Sequence, residues 1–178
     1  MAKHFYWVDL EMTGLNEKKD KILEVAVVIT DYDFNTVATF ENTIFQPPEV
    51  LNSMNKWSKK HHAESGLTDR VPNGIPLEQA ELEMLRLANT YFGTKEDVVL
   101  AGNSVGNDKR FIEEYMPLFS KRLHYRVIDV SSFKEIFREK YGVQYKKKNK
   151  HRALDDIYES IEELKTYLSF VTLTGTQK

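Results

Sequence analysis

A stretch of aromatic and aliphatic residues near the amino terminus, His4-Phe5-Tyr6-Trp7-Val8-Asp9-Leu10-Glu11-Met12, is broken by two acids. Its apolar density predicts a buried strand. Strand side chains alternate between faces, so Asp9 and Glu11 point to the same side. Ionised carboxylates are costly to desolvate, and a pair of them on a buried strand requires a counter-charge. For a set of oxygen ligands that counter-charge is a hard divalent cation such as Mg²⁺ or Mn²⁺. The end of this strand, running into Thr13-Gly14-Leu15, therefore reads as half of a metal site that the rest of the chain must complete.

The chain has 178 residues, enough for one domain that buries roughly two-thirds of its unfolded surface. A net charge of −2 argues against a long, sequence-independent nucleic-acid groove and leaves a small anionic substrate open. With no cysteine, disulfides, zinc-thiolate sites and cysteine nucleophiles are excluded. No apolar run reaches 18 residues and no signal-peptide core is evident, so the expected location is cytoplasmic.

Along the chain, β-branched residues predict a second strand over 22–30 and a third over 36–45, ended by Pro47-Pro48. Turn residues join them, and connections this short favour antiparallel neighbours. Helices are expected over 51–62, 77–92, 108–116, 131–141 and 153–171, and short strands over 98–101 and 127–130. The stretch from 65 to 76 reads as breaks and loop. Ser131 or Ser132 is expected to cap its helix, with Glu135 placed for a capping box. The predicted fold class is α/β: a mixed five-stranded sheet flanked by helices, with three antiparallel hairpin strands followed by α/β alternation. Residues 1–171 form a single domain and 172–178 a flexible tail.

Two other pairs of acids lie two positions apart, Asp31/Asp33 and Glu81/Glu83, and fall in a turn and on a polar helix face; only Asp9/Glu11 is embedded in an apolar strand. Two further stretches carry acids at helix starts. Gly102-Asn103-Ser104 leads to Asp108, and His151 precedes Asp155 and Asp156. Taken singly, each acid reads equally as a helix cap or a complement to the helix dipole.

Taken together, Asp9-x-Glu11, Asp108 after Gly-Asn-Ser, and His151 five residues before Asp156 resemble the DEDDh exonucleases. The flanks, Asp9-Leu10-Glu11-Met12-Thr13-Gly14-Leu15, His124-Tyr125-Arg126 and His151 to Asp156, look like the oligoribonuclease branch of that family. The resemblance runs from about Tyr6 to Tyr167. It implies an RNase H-like fold, two divalent metal ions, Mg²⁺ or Mn²⁺, and 3′→5′ removal of nucleotides. It also implies a homodimer acting on very short single-stranded RNA, dinucleotides above all.

On that resemblance Asp9, Glu11 and Asp156 hold one ion. Asp9 bridges to the second, with Asp108 near it directly or through water. His151, neutral near pH 7, takes a proton from the attacking water. Asp155 is left as the helix-start acid. Leu15 becomes a wedge between two bases and Trp57 a stacking surface, where by residue type alone Trp57 is a core or surface aromatic. Ser104 bonds phosphate or finishes a turn. Tyr125, Arg126, Ser131 and Ser132 reach across the dimer to the 5′ end, although Arg126 alone reads as a surface ion pair. Lys146-Lys147-Lys148 reads as a solvated loop with steering as a secondary role. His61-His62 is not a metal pair, because adjacent helix residues diverge. Two other functions compete: a DEDDh proofreading or repair exonuclease acting on DNA, and a non-catalytic nucleic-acid-binding module. The latter has no need of four acids and a histidine.

Overall fold

The computed structural model describes residues 4–146 and 152–172. His151, Lys147, Lys148 and most of the expected tail lie outside the described residues. Strand β1 (His4–Met12) is the middle of a five-stranded sheet of order β3-β2-β1-β4-β5. β2 (Ile22–Asp31) and β3 (Thr36–Thr43) continue antiparallel from β1. β4 (Val98–Gly102) runs parallel to β1 and to β5 (Leu123–Asp129). This is the expected mixed α/β architecture.

Helices cover both faces, which is why β1 and β2 read as continuous apolar runs. Tyr6, Val8 and Leu10 face one core with Val25, Val27 and Ile29 of β2. It is closed by Met84 and Leu87 of α4 (Leu77–Phe92) and by Phe111 and Ile112 of α5 (Gly106–Tyr115). Trp7 faces a second core with Ala26, Val28 and Ala101. Here the cover is Phe137 of α7 (Val130–Tyr141) and Ile157, Ile161 and Leu164 of α8 (Ala153–Ser169). Strand alternation puts Asp9 and Glu11 on the same face as Trp7, toward α8.

Several boundaries differ from expectation for identifiable reasons. The helix expected over 51–62 is two, α1 (Pro48–Ser53) and α2 (Lys56–Glu64). Met54 is extended and buried, and the Asn55 side chain accepts from the Ser58 N–H at 2.9 Å, starting a new helix. Where loop was expected, α3 (Leu67–Arg70) and a 3₁₀ turn (Val71–Asn73) bury Leu67 and Val71 against Leu23 and Met54. Burial, not local propensity, orders that segment. A further short helix, α6 (Pro117–Ser120), has its first N–H groups capped by the buried Glu81 carboxylate. The expected serine cap of α7 is instead Asp129. Its Oδ1 accepts from the Ser131 N–H at 2.9 Å, the Ser131 hydroxyl at 2.6 Å and the Ser104 N–H at 2.9 Å. An acid that satisfies three donors displaces the serine from the capping role.

Gly102 ends β4 where the backbones are close. A Cβ there would lie 2.8 Å from the Val8 carbonyl oxygen and 3.2 Å from Val105 Cγ2. Gly102→Ala should therefore lower stability by about 1–3 kcal/mol, as overpacking does. Urea unfolding checks it; an unchanged midpoint would mean that the strand ends yield without cost.

Candidate active site

The β1–β4 pairing is made at Tyr6↔Leu100 and Trp7↔Ala101, and β1 then runs on past it. A crevice opens at the carboxyl ends of the two parallel strands, the usual ligand position in an open α/β sheet. Leu10 lies beyond the last pair, and its N–H is satisfied by Asp108 Oδ1 at 2.9 Å. Asp108 enters from the first turn of α5 and is buried.

On the other face, Asp9 and Glu11 from β1 meet Asp156 from the first turn of α8. One carboxylate oxygen of each lies within 4.8 Å of the others. These three acids can hold a divalent cation, and as an all-oxygen set they suit a hard one. Asp108 is not part of that group of three, although its charge is felt by Glu11.

The start of α8 is pinned. The Glu24 carboxylate, opposite Glu11 in the β1–β2 register, accepts from Arg70 at 2.7 Å and lies 3.4 Å from the Ala153 N–H. Arg152 lies 3.4 Å from Glu41. Burial is the main cause that pushes the Glu11 carboxyl up to about 8, and the charges of Asp156, Glu24 and Asp108 add to it. Burial also drives Asp108 up to about 7, held back by the hydrogen bond from Leu10. Acids that resist ionising together, beside a cleft, fit a site whose positive charge arrives from outside.

Two concavities meet at this cluster. A polar cleft of about 520 Å³ is lined by Asp9, Glu11, Asp156, Asn103, Ser104, Ser131, Lys134 and Ser160, with Trp57 and His61 on one side. An apolar one of about 470 Å³ is walled by Leu10, Met12, Leu15, Trp57 and His62. Leu15 and Trp57 are 69% and 70% exposed, so neither is a core residue. Leu15 follows Gly14, where an added Cβ would lie 2.5 Å from the Asp20 carboxylate that binds the Thr13 hydroxyl and the Asn16 N–H.

Of the other predicted residues, Ser104 lines the polar cleft with a left-handed φ of 53°. Ser131, expected to reach across a dimer, instead lines the cleft of its own chain, whereas Ser132 is exposed and does not. Tyr125 and Arg126 stand exposed on the edge strand β5, the guanidinium 5.0 Å from the ring centre, and line neither concavity. His151 lies outside the described residues.

The sequence reading missed His61, His62, Asn103, Lys134 and Ser160. His61 stacks on Trp57 with ring centres 4.7 Å apart, a pairing foreshadowed by their i, i+4 spacing on one helix. His62 is buried; its Nε2 lies 2.8 Å from the Met12 carbonyl and its Nδ1 3.8 Å from Glu11. Burial lowers its pKa, so the ring is neutral and its Nε2–H donates to that carbonyl.

A family model for exonucleases matches residues 6–164. The chain belongs to this exonuclease family, and relatives 45% and 51% identical to it place it in the oligoribonuclease branch, as a nuclease that hydrolyses its substrate. It is 51% identical over 174 residues to the human protein named "Oligoribonuclease, mitochondrial", covering 94% of this chain and 73% of that one. It is 45% identical over 171 residues to the oligoribonuclease of Francisella tularensis, covering 93% and 94%. Among solved structures, Escherichia coli exonuclease I in complex with a 5cy-dT13 oligonucleotide superposes with a TM-score of 0.71 at 14% identity. That match covers 96% of this chain and 41% of the other, and it shows the shared RNase H-like fold. Among the described residues no helix is long and apolar enough to cross a membrane.

The raised acids set a pH dependence. In the metal-free protein Glu11 ionises near 8 and Asp108 near 7, whereas in the unfolded chain they ionise near 4.5 and 3.8. Between those values the folded state binds more protons, so stability falls as pH rises from about 5 through 8. Thermal melts of EDTA-treated protein should show this fall, and Glu11→Gln should flatten it. A melting temperature that climbs across the window would mean the acids are not crowded.

Proposed function

We propose that the protein is a 3′→5′ exoribonuclease that degrades very short single-stranded RNA, dinucleotides best, to mononucleotides. The reading is carried by the convergence of Asp9, Glu11 and Asp156 at the end of the central strand, beside a trough walled by Leu15 and Trp57. The names of the relatives support RNA as substrate.

In this reading Asp9, Glu11 and Asp156 would hold one divalent ion, Mg²⁺ or Mn²⁺, and Asp9 would help to hold a second, with Asp108 near it directly or through water. Such a pair supplies positive charge to the attacking and leaving oxygens of a phosphodiester. His151 takes the proton of the attacking water, its neutral ring acting as general base. Leu15 separates the two bases and Trp57 stacks on one, a contact worth about 1–3 kcal/mol per base. Ser104 and Ser131 stand in the polar cleft where a phosphate would lie, and Lys134 adds a positive charge beside them. Tyr125 and Arg126, exposed and turned to neither concavity of their own chain, fit a role in the partner's site of a homodimer, as does the exposed Ser132. The domain in this reading is residues 1–171, with 172–178 as a tail. A cytoplasmic location belongs to the same proposal; it rests on the bacterial relative, whereas the human relative is named as mitochondrial.

In this reading the partner's Tyr125 and the partner's Arg126 close the 5′ end, and a site closed there prefers two nucleotides. A 5′-phosphorylated ribo-dinucleotide with Mn²⁺ should give the highest kcat/KM, with a drop at three or more residues and no turnover in EDTA. Arg126→Ala should erase the length preference. Equal kcat/KM for two-mers and seven-mers would remove the closed site, and faster turnover of the deoxy dinucleotide would favour a DNA exonuclease.

His151→Ala should lose about 10²–10⁴-fold in kcat while still binding cation and dinucleotide. If single-turnover kinetics show the wild-type rate, another group activates the water.

A further inference from the structure

One face of α8 carries a polar row through an otherwise apolar layer. Asp156, Ser160, Glu163 and Tyr167 follow one another at helical spacing, so they lie in line along the helix. Their neighbours Ile157, Ile161 and Leu164 pack in the core. Glu163 is fully buried.

Its two carboxylate oxygens are met separately. Asn103 Nδ2 donates to Oε2 at 2.8 Å, and the Tyr167 hydroxyl donates to Oε1 at 2.8 Å. The same Asn103 nitrogen lies 3.4 Å from Ser160 Oγ, and the Ser160 hydroxyl donates to the Asp156 carbonyl at 2.8 Å. At the far end, Tyr145 lies beside Tyr167, the two lining one hollow with Lys134 and Arg138. The row therefore begins at the acidic cluster, takes in two residues of the cleft wall, and ends on the segment that leads toward residue 151.

An apolar side chain of similar volume would fill the position of Glu163 without desolvating a charge. The carboxylate differs in accepting only, so both donors are held in one orientation. Asn103 follows Gly102 at the end of β4 and precedes Ser104. Holding it from α8 fixes the gap between the strand ends and the helical turn that carries Asp156.

We propose that Glu163 is a positioning residue. Through Asn103 and Ser160 it sets Asp156 against Asp9 and Glu11, and through Tyr167 it carries the row to the Tyr145 segment. This rests on the reading of the three acids as a cation site.

Glu163→Gln keeps the volume, removes the charge and leaves a single acceptor oxygen. With that oxygen on Asn103, the amide N–H faces Tyr167, whose hydroxyl must turn round to accept, so the orientation imposed by the carboxylate is lost. Calorimetric titration of the whole protein with Mn²⁺ should show affinity reduced by about 10- to 100-fold, the usual effect of disturbing the support of metal ligands. In steady-state kinetics kcat should fall with little change in KM for the dinucleotide. Glu81→Gln is the comparison, since Glu81 is a buried carboxylate that caps α6 and lines neither concavity. That variant should melt lower and bind Mn²⁺ as the wild type does, which is how a purely structural Glu163 would behave. Tyr167→Phe keeps the Asn103 link and should lose less affinity than Glu163→Gln. If Glu163→Gln does not fold, Tyr167→Phe decides: weakened Mn²⁺ binding supports the row, and wild-type binding overturns it. Glu163→Gln with wild-type affinity and kcat overturns it as well. Should the wild type bind no Mn²⁺, or Asp156→Ala bind it equally well, the cation reading fails too, and that result is distinct from a failure of Glu163 alone.

Discussion

The repulsion among Asp9, Glu11 and Asp156 is the constraint on which this architecture turns. Left to themselves, carboxylates whose oxygens lie within 4.8 Å would separate or take up protons. β1 cannot move, because it is paired on one side to β2 along its length and on the other to β4, with Trp7 buried beneath. Asp156 cannot withdraw, because the start of α8 is fastened by Glu24 and Arg70 and the helix body by its own core. Asp156 also gains from lying at the helix N-terminus, where the dipole favours negative charge. The cost of the arrangement appears in proton affinity: burial raises the Glu11 carboxyl most, and the charges of Asp156, Glu24 and Asp108 add to it.

What was legible in the sequence follows from range. β1, β2, α4 and the alternation after them were readable because their burial is periodic and local. The pairing of Asp9 with Glu11 needed only the strand period. The split at Met54-Asn55, the helical turns at 67–73 and α6 were not readable, since each depends on a partner far along the chain: Leu23 for Met54, Leu67 and Val71, and Glu81 for α6. The capping of α7 by Asp129 was missed for a related reason: a serine two residues on is an equally good cap until the carboxylate is seen to serve Ser104 as well.

The site shows the same division. Acids were found by their odd placement in apolar surroundings. Lys134 and Ser160 sit on helix faces where a lysine or serine attracts no notice, and only the crossing of α7 and α8 over the sheet end brings them to the cleft. His62 was dismissed together with His61 because adjacent helix residues diverge. They do diverge, and that is why one ring stacks on Trp57 while the other is buried beside Glu11.

Two of the buried acids that support the cluster are not part of it, and they hold α8 at different points. Glu24 grips its first residue from β2, and Glu163 holds its middle to the end of β4. One tether would leave a helix free to swing about it; two, on different strands of one sheet, leave a single placement. Carboxylates suit this task better than apolar contacts, which tolerate sliding, because a hydrogen-bonded anion penalises a shift of even an ångström. The sheet thus supplies two cluster acids on β1 and anchors for the third on β2 and β4. An acidic cluster assembled across three strands and one helix can in this way keep its spacing even though its own charges drive it apart.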